Sequence, residues 1–301
     1  MLISQAIANI KSFCLGVAAG KPIDGATTRD QILWGDSEQE LTGVVTCIWA
    51  SADVIREAAV RGANLIVSHE ALFWNHGDHT DWLEKQGNET FLAKRALLEE
   101  HGICVWRFHD FIHSGVPVRL FDGWAVQGLA EVEATEGWTD GIFAPLAAKL
   151  GYTPLPEMGP GILFCGCEVD GITAHELAQE LVEKLGLTGT RIEGDPTTVV
   201  HRAAVAMHLL GYVDNQVISL AARHNIDCLL CMDRTDYTAA QWVRDSCQLG
   251  RKRAIIDVGH FNIEEPGMEA CAGWLSEAIG DANMPVSFVS AGDPFTYVQR
   301  G

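Results

Sequence analysis

Short apolar runs alternate with amphipathic segments along the chain, and this alternation predicts strands and helices in turn. Residues 65–67 form a Leu-Ile-Val run that predicts a buried strand ending at Ser68. Before it, residues 41–50 predict a strand and residues 54–61 predict a helix, for which Ser51 is a suitable N-cap. Two strands joined by a helix within roughly 30 residues are typical of a parallel βαβ unit. The chain is therefore predicted to begin as an α/β protein.

The same alternation continues to the end of the chain. Thr173 with Glu176 has the pattern of a capping box, which predicts the start of one further helix. Including this helix at 173–185, the other predicted helices and strands cover residues 4–15, 90–101, 103–108, 122–129, 161–167, 173–185, 190–192, 199–209, 216–224, 226–232, 238–247, 254–258, 267–279 and 286–290. The whole chain is therefore assigned to the α/β class.

Composition changes between residues 130 and 160, where four prolines lie among several glycines. Such a stretch interrupts regular structure and is a suitable lobe boundary. We therefore predict two α/β lobes. The first joins residues 1–130 to residues 251–301 and carries the metal ligands proposed below, because the strand at 254–258 is expected to return beside the strand at 65–67. The second lobe covers residues 131–250.

Composition and charge exclude several classes of function. The chain has 301 residues, of which 48% are hydrophobic, and its formal net charge is −19. So acidic a surface repels phosphate backbones and anionic lipids, which argues against nucleic-acid and membrane partners. No apolar run reaches the ~18 residues of a membrane span, and the N-terminal segment does not have the pattern of a signal peptide. Nine scattered cysteines suggest buried thiols in a reducing compartment, and we expect a cytoplasmic protein.

Side chains that can bind metal ions follow three of the predicted strands. His69 and Glu70 follow the strand at 65–67, the segment 109–113 contains two histidines and an aspartate, and His260 follows the strand at 254–258. The carboxyl ends of strands in open α/β sheets are where ligands usually bind. We therefore expect these strand ends to converge on one metal site.

The spacing within two of these segments supports that hypothesis. His109 and His113 are four residues apart, Asp110 and His113 are three apart, and His260 and Glu264 are four apart. A helical turn after each strand would bring such pairs onto one face. Imidazole and carboxylate ligands suit zinc, iron, manganese or cobalt.

The remaining histidines and cysteines have simpler interpretations. His175, His201, His208 and His224 fall within predicted helices or strands without a partner carboxylate motif, and a structural role is assigned to them. His76 and His79 lie in a polar loop that is expected to be solvated, although it could reach the mouth of a site. The cysteine pairs at 165/167 and 228/231 lie inside apolar strands, where burial as small hydrophobic side chains is favoured over zinc binding.

The segments around these strand ends resemble a known family. The sequences LIVSHEALFW from Leu65, FHDFIH from Phe108 and DVGH from Asp257, followed by Glu264 and a closing Asp293-Pro294-Phe295, are similar to those of the Nif-three-like dinuclear metal centre hexameric protein family. This family is also labelled type two GTP cyclohydrolase I. The resemblance implies two α/β lobes with a metal cleft between them, two divalent ions per subunit, and a homohexamer built as a trimer of dimers.

The resemblance also implies a ligand set in this sequence. The family's His-His pair falls on His69 and Glu70, and its aspartate falls on His113. Its Gly-His-x-x-x-Glu motif falls on Gly259, His260 and Glu264.

Two ligand positions therefore exchange imidazole and carboxylate relative to the family. Asp110 either supplies a bridging oxygen or orients His113. The family's early Trp-Asp-Asn segment has no match around residues 27–34.

Two functions remain open at this level. The first is a metal-dependent hydrolase that acts on a small polar, phosphorylated or nucleotide-like substrate through a metal-activated water, with Glu264 as a ligand or general base. The alternative is a non-catalytic metal-binding scaffold or metal chaperone that interacts with partner proteins. GTP cyclohydrolase activity follows only from the family label, and the substrate is not identified by the sequence.

Overall fold

The computed structural model of the chain describes residues 1–121, 136–155, 163–206 and 208–298. The helices of these residues, numbered in chain order, are α1 (Ile3–Phe13), α2 (Ala52–Val60), α3 (Asp81–Lys85), α4 (Glu89–Glu100), α5 (Asp110–Ser114), α6 (Phe143–Leu150), α7 (Ala174–Leu185), α8 (Asp214–Arg223), α9 (Ala239–Gln248) and α10 (His260–Ile279). The strands are β1 (Val17–Ala18), β2 (Lys21–Pro22), β3 (Ile32–Trp34), β4 (Val44–Cys47), β5 (Leu65–Ser68), β6 (Cys104–Arg107), β7 (Val116–Pro117), β8 (Trp138–Thr139), β9 (Thr153–Pro154), β10 (Leu163–Thr173), β11 (Arg191–Gly194), β12 (Val199–Ala206), β13 (Cys228–Cys231), β14 (Ala254–Asp257) and β15 (Val286–Phe288).

The chain forms two compact units, and the α/β class predicted from the sequence is confirmed in both. The first unit consists of Met1–Leu120 and Gly267–Gly292, and the second consists of Phe121–Pro266 and Asp293–Gly301. The boundary falls inside α10 at Pro266, which has no amide hydrogen to donate within the helix. His260 and Glu264 therefore belong to the second unit.

The first unit is built on a five-stranded sheet with the strand order β15-β4-β5-β6-β3. The strands β15, β4, β5 and β6 are parallel, and β3 pairs with β6 in the antiparallel direction. Every residue of β4, β5 and β6 is buried, which explains why these strands appear in the sequence as continuous apolar runs rather than alternating ones. The predicted βαβ unit at the start of the chain is β4-α2-β5, and the Ser51 side chain caps α2 by accepting a hydrogen bond from the Val54 amide.

The second unit is built on a six-stranded sheet with the strand order β11-β14-β13-β12-β10-β9. Its central strands β12, β13 and β14 are parallel, so their carboxyl ends lie at the same edge of the sheet. The strands β9, β10 and β11 are antiparallel to their neighbours. Helices α8 and α9 pack on this sheet through a buried apolar cluster that includes Val217, Ala221 and Val243.

The division of the chain differs from the predicted one at its C-terminal part. The prediction placed residues 251–301 in the first lobe, whereas β14 lies between β11 and β13 in the sheet of the second unit. The pairing of Leu230 with Ile256 shows the register of β14 against β13. A local apolar run indicates a strand but not its neighbours, and for this reason the sequence did not assign the strand to its sheet. The predicted boundary at residues 130 and 131 lies outside the described residues.

Within the described part of the chain, no helix combines the length and the apolar character needed to cross a bilayer.

Candidate metal centres

The ends of two neighbouring strands place His69 beside His109 in the first unit. Ser68 pairs with Arg107 in the register of β5 and β6, so the residues after these strands emerge side by side. The Nδ1 atom of His69 lies 3.0 Å from the carbonyl oxygen of Phe108. Because a carbonyl only accepts hydrogen bonds, Nδ1 carries the proton and Nε2 is the ring nitrogen with the lone pair in the neutral imidazole. The rings of His69 and His109 stack with their centroids 4.6 Å apart.

Asp110 orients His109. Its Oδ1 lies 2.9 Å from Nδ1 of His109, and its Oδ2 accepts hydrogen bonds from the Arg29 amide and the Thr28 hydroxyl, each at 2.8 Å. Burial raises the pKa of Asp110, but these hydrogen bonds outweigh it and hold the pKa well below its usual range. Of the two roles left open for Asp110, these contacts fit an orienting one, and the imidazole it orients is His109 rather than His113.

A second carboxylate, that of Asp30, fixes the start of α5. Its Oδ1 accepts a hydrogen bond from the His109 amide at 3.2 Å, and its Oδ2 accepts one from the Asp110 amide at 2.7 Å. Burial and the nearby charge of Asp110 raise the pKa of Asp30. Asp30 therefore caps the helix that carries His113, from a position about 80 residues earlier in the chain.

His69, His109 and His113 form what we call the first-unit histidine cluster. His113 follows His109 by one helical turn, and its ring lies 5.0 Å from that of His69 and 5.1 Å from that of His109, edge to face in both cases. One ligand atom from each of the three residues lies within 4.8 Å of the others. Imidazole nitrogens held in place through their opposite ring nitrogens are the ligands expected for zinc and similar divalent ions. The donor set therefore fits a metal ion.

Glu70 makes contacts of a different kind in the first unit. Its Oε2 lies 3.0 Å from Nη2 of Arg107 and 3.6 Å from Nδ1 of His76. The Arg107 side chain is fully buried, and it also donates to Asp78 Oδ2 at 2.9 Å and to the His69 carbonyl oxygen at 3.1 Å. Burial raises the pKa of Glu70, but the hydrogen bond with His76 and the nearby positive charges lower it well below its usual range. Glu70 is therefore ionised and paired with Arg107.

The second unit contains its own group of titratable side chains, which we call the second-unit cluster. Nδ1 of His208 and Nδ1 of His260 both lie 2.7 Å from Oδ2 of Asp233. Nε2 of His260 lies 3.1 Å from Oε2 of Glu264, which is one helical turn further along α10. Burial lowers the pKa of His260, but Glu264 and Asp233 outweigh it and raise that pKa to about 11. The His260 imidazole is therefore held between two carboxylates.

Within each unit, the structure brings several of the predicted site residues together. His69 and His113 lie together with His109, and His260 contacts Glu264. His109 had been considered only as a possible partner of His113.

The sequence analysis assigned no role in metal binding to two members of the second-unit cluster. His208 was not recognised as a candidate, because the predicted strand at 199–209 included it. In the structure β12 ends at Ala206, and His208 lies beyond the strand end. Asp233 lies two residues after the apolar strand β13, close to a strand end like the other candidates, and this signal was present in the sequence.

Two α/β units, each with imidazoles and carboxylates gathered after parallel strands, define a class of α/β protein with candidate divalent-metal groups. Comparison with protein families gives the narrower assignment. Residues 22–294 match the family described as Duf34/NIF3 (NGG1p interacting factor 3), and the chain belongs to this family.

Individual relatives are distant in sequence but similar over nearly the whole chain. A GTP cyclohydrolase 1 type 2 homolog of Clostridium perfringens is 22% identical over 275 residues, which cover 89% of this chain and 90% of that protein. The crystal structure of the Staphylococcus aureus hypothetical protein SA1388 has a TM-score of 0.66 at 17% identity and covers 99% of both chains. The crystal structure of a Bacillus cereus protein related to NIF3 has a TM-score of 0.65 at 13% identity, again over 99% of both chains. These structures support the fold.

Proposed function

We propose that this protein is a metal-dependent hydrolase that binds two divalent ions, either zinc, iron, manganese or cobalt. The proposed substrate is a small polar, phosphorylated or nucleotide-like molecule. The observation that supports this proposal most strongly is the first-unit histidine cluster, in which one ligand atom from each imidazole lies within 4.8 Å of the others. A divalent ion bound by such ligands would supply the Lewis acidity that makes water nucleophilic near neutral pH.

The proposed roles of the first-unit residues are to bind an ion and to hold its imidazole ligands in position. His69, His109 and His113 are the proposed imidazole ligands there. The Phe108 carbonyl holds His69, and Asp110 holds His109, so that each ring presents Nε2. Glu70 stays a predicted ligand, and its contacts with Arg107 would be shared or broken when it binds an ion.

The residues of the second unit are proposed to bind an ion and to move a proton. His260 and Glu264 are the proposed ligands, and Glu264 is also the proposed general base that takes a proton from the attacking water. Its side chain is only 4% exposed, which keeps bulk water from competing for the carboxylate. Nε2 of His260, which lies 3.1 Å from Oε2 of Glu264, is the proposed ligand atom of that imidazole.

Metal analysis together with a hydrolysis panel tests the proposal. Plasma emission should find divalent metal in the wild-type protein, and a panel of phosphoesters, nucleotides and cyclic amides should contain a hydrolysed substrate. GTP belongs in the panel because the Clostridium perfringens relative is called a GTP cyclohydrolase 1 type 2 homolog. Because the protein carries a net charge of −19, a nucleotide would need the positive charge of bound metal to approach the site.

The variant Glu264→Gln keeps the side-chain volume but removes the carboxylate. It should lower metal occupancy or turnover by at least ~10-fold. Glu57→Gln, at a half-exposed position on α2, is the matched control and should change neither. Metal content near zero in all three proteins contradicts the proposal. Bound metal without turnover of any panel member would support the alternative, a metal-binding scaffold or metal chaperone.

We further propose a homohexamer, arranged as a trimer of dimers, and a cytoplasmic location. The first proposal rests on the family to which the chain belongs. The second is supported by the nine cysteines scattered along the sequence, which suit a reducing compartment.

A further inference from the structure

Three adjacent parallel strands of the second unit are each followed by one member of the second-unit cluster. His208 follows β12, Asp233 follows β13 and His260 follows β14. The strands β12, β13 and β14 are neighbours in the sheet, so these side chains leave the same sheet edge in consecutive positions. The carboxyl edge of a parallel sheet is where binding residues are held most rigidly.

Backbone hydrogen bonds beyond the strand ends fix the spacing of these residues. The Leu209 amide donates to the Asp233 carbonyl oxygen at 2.7 Å, which ties the residue after His208 to Asp233. The Gly259 amide donates to the Cys231 carbonyl oxygen at 3.2 Å, which ties the residue before His260 to the end of β13. The three side chains therefore sit on a preformed framework rather than on independent loops.

Asp233 accepts from both imidazoles through a single oxygen. With Oδ2 at 2.7 Å from each Nδ1, both rings are oriented by the same carboxylate and both direct Nε2 away from it. A carboxylate behind a histidine is the usual support of an imidazole that binds metal through its other nitrogen. For His260 that other nitrogen is 3.1 Å from Glu264 Oε2. Two ligands of one ion at bond lengths of about 2.0–2.2 Å are separated by roughly 3–3.5 Å, so this distance suits a pair of ligands.

We infer that His208 is a further metal ligand of the second unit, and that Asp233 is the positioning residue that holds the His208 and His260 imidazoles for the same ion. The inference rests on the proposed function, because it concerns the ion that His260 and Glu264 are proposed to bind. The side chains of His208, Asp233 and His260 are 31%, 34% and 23% exposed, so an ion can reach them from solvent. An imidazole at position 208 would give that ion a third protein ligand.

Cobalt(II) binding to the metal-free full-length protein tests the inference without any assay of activity. Cobalt(II) replaces zinc in such sites and reports ligand number and type through its visible absorption. His208→Gln should weaken one cobalt binding event by about 10-fold to 100-fold and change the absorption of the cobalt bound there. Asp233→Asn, which keeps the volume but removes the charge, should weaken the same event.

The variant with both changes should bind cobalt more weakly than His208→Gln, because Asp233 still holds His260, but by less than the product of the two single effects, because its support of His208 is already lost. His175→Gln replaces an exposed histidine on α7 and is the matched control, for which no change is expected. Circular dichroism and thermal unfolding establish that each variant is folded. If His208→Gln does not fold, selective broadening of the His208 ring signals by substoichiometric manganese(II) in the wild-type protein replaces it as the measurement.

The outcomes separate the inference from the proposed function. Cobalt binding in the wild-type protein that His208→Gln leaves unchanged overturns the role of His208 and leaves the metal proposal intact. The same holds if Asp233→Asn weakens binding and His208→Gln does not, since Asp233 would then hold His260 alone. No cobalt binding by the wild-type protein overturns both.

Discussion

The carboxylate of Asp30 accepts a 2.7 Å hydrogen bond from the backbone amide of Asp110, and this bond fixes the first residue of the helix that carries His113. Asp30 is 1% exposed, and it also accepts from the amides of His109 and Phe111. A helix of five residues has little stability of its own, because nucleation fixes several residues for few hydrogen bonds. The geometry of the first-unit histidine cluster therefore depends on a residue that binds no ion.

Asp30→Asn should destabilise the protein and weaken metal binding in the first unit. An amide offers one acceptor oxygen where the carboxylate offers two, so at least one buried amide hydrogen of α5 loses its partner. We expect a loss of about 1–3 kcal/mol in the free energy of unfolding, measured by urea denaturation of the metal-free protein. Asp53→Asn, at an exposed position of α2, is the control and should stay within about 0.5 kcal/mol of wild type. Equal effects of the two variants would contradict the capping role.

His109→Gln should remove one imidazole from the first-unit histidine cluster. We expect the affinity for one divalent ion to fall by at least about 10-fold, the size of effect seen even for supporting groups. His79→Gln is the matched control, because His79 lies exposed in the loop after β5. Isothermal titration with zinc checks the prediction, and an unchanged affinity in His109→Gln would show that His109 only packs against His69.

Features that depend on neighbouring residues were predictable from the sequence. The Ser51 cap of α2 and the Thr173–Glu176 capping box of α7 are confirmed, because each involves contacts within four residues. The apolar runs located β4, β5 and β6, although β4 and β6 are shorter than their runs. A run continues into buried loop residues such as Ile48 and Phe108, and hydrophobicity alone cannot separate these from the strand.

Features that depend on sheet order or on distant contacts were not predictable. Asp30 caps a helix about 80 residues away, so its own surroundings in the sequence indicate only a turn. The place of β14 between β11 and β13 is a property of the whole sheet. Asp233 was overlooked for a different reason, since it follows an apolar strand just as His69 and His260 do. Its role depends on His208, which the sequence placed inside a strand.

Light scattering should give six times the subunit mass of 32.7 kDa at micromolar concentration. This expectation rests on the proposed homohexamer, which is implied by the resemblance of the strand-end segments to the hexameric family. A mass equal to that of one subunit would contradict the proposed hexamer.

Lys94 should make stability rise with pH in alkaline solution. Its ammonium group is buried, donates to the Leu72 carbonyl oxygen at 2.7 Å and lies 4.9 Å from the centre of the Trp49 ring. Burial lowers the pKa of Lys94 from 10.5 to about 8, so between these values the unfolded chain binds the proton and the folded protein does not. The folded state is therefore favoured as pH rises through this window, by on the order of 3 kcal/mol in total. Lys94→Met removes this titratable group. The free energy of unfolding of the wild type relative to the variant should therefore increase from pH 8 to pH 10.5. A difference that stays constant over this range would contradict the prediction.

Arg107→Met should be among the most destabilising single changes in the first unit. The guanidinium group donates to Glu70 at 3.0 Å and to Asp78 at 2.9 Å, and its side chain is fully buried. Removing it leaves the Glu70 carboxylate buried without its partner, for which we expect a loss of about 3–5 kcal/mol in the free energy of unfolding. Arg56→Met breaks the exposed pair with Asp53 and should cost no more than about 1 kcal/mol.

A double variant separates the ion-pair role of Glu70 from its predicted role as a metal ligand. In the metal-free protein, Glu70→Gln combined with Arg107→Met removes both charges and should recover about 1–3 kcal/mol relative to the sum of the single changes. Recovery is only partial, because Asp78 and the His69 carbonyl oxygen also lose a donor. Since no metal is present, a ligand role of Glu70 cannot contribute to this coupling. If the two single changes add without coupling, Glu70 is not stabilised by Arg107, and the ion-pair role is contradicted.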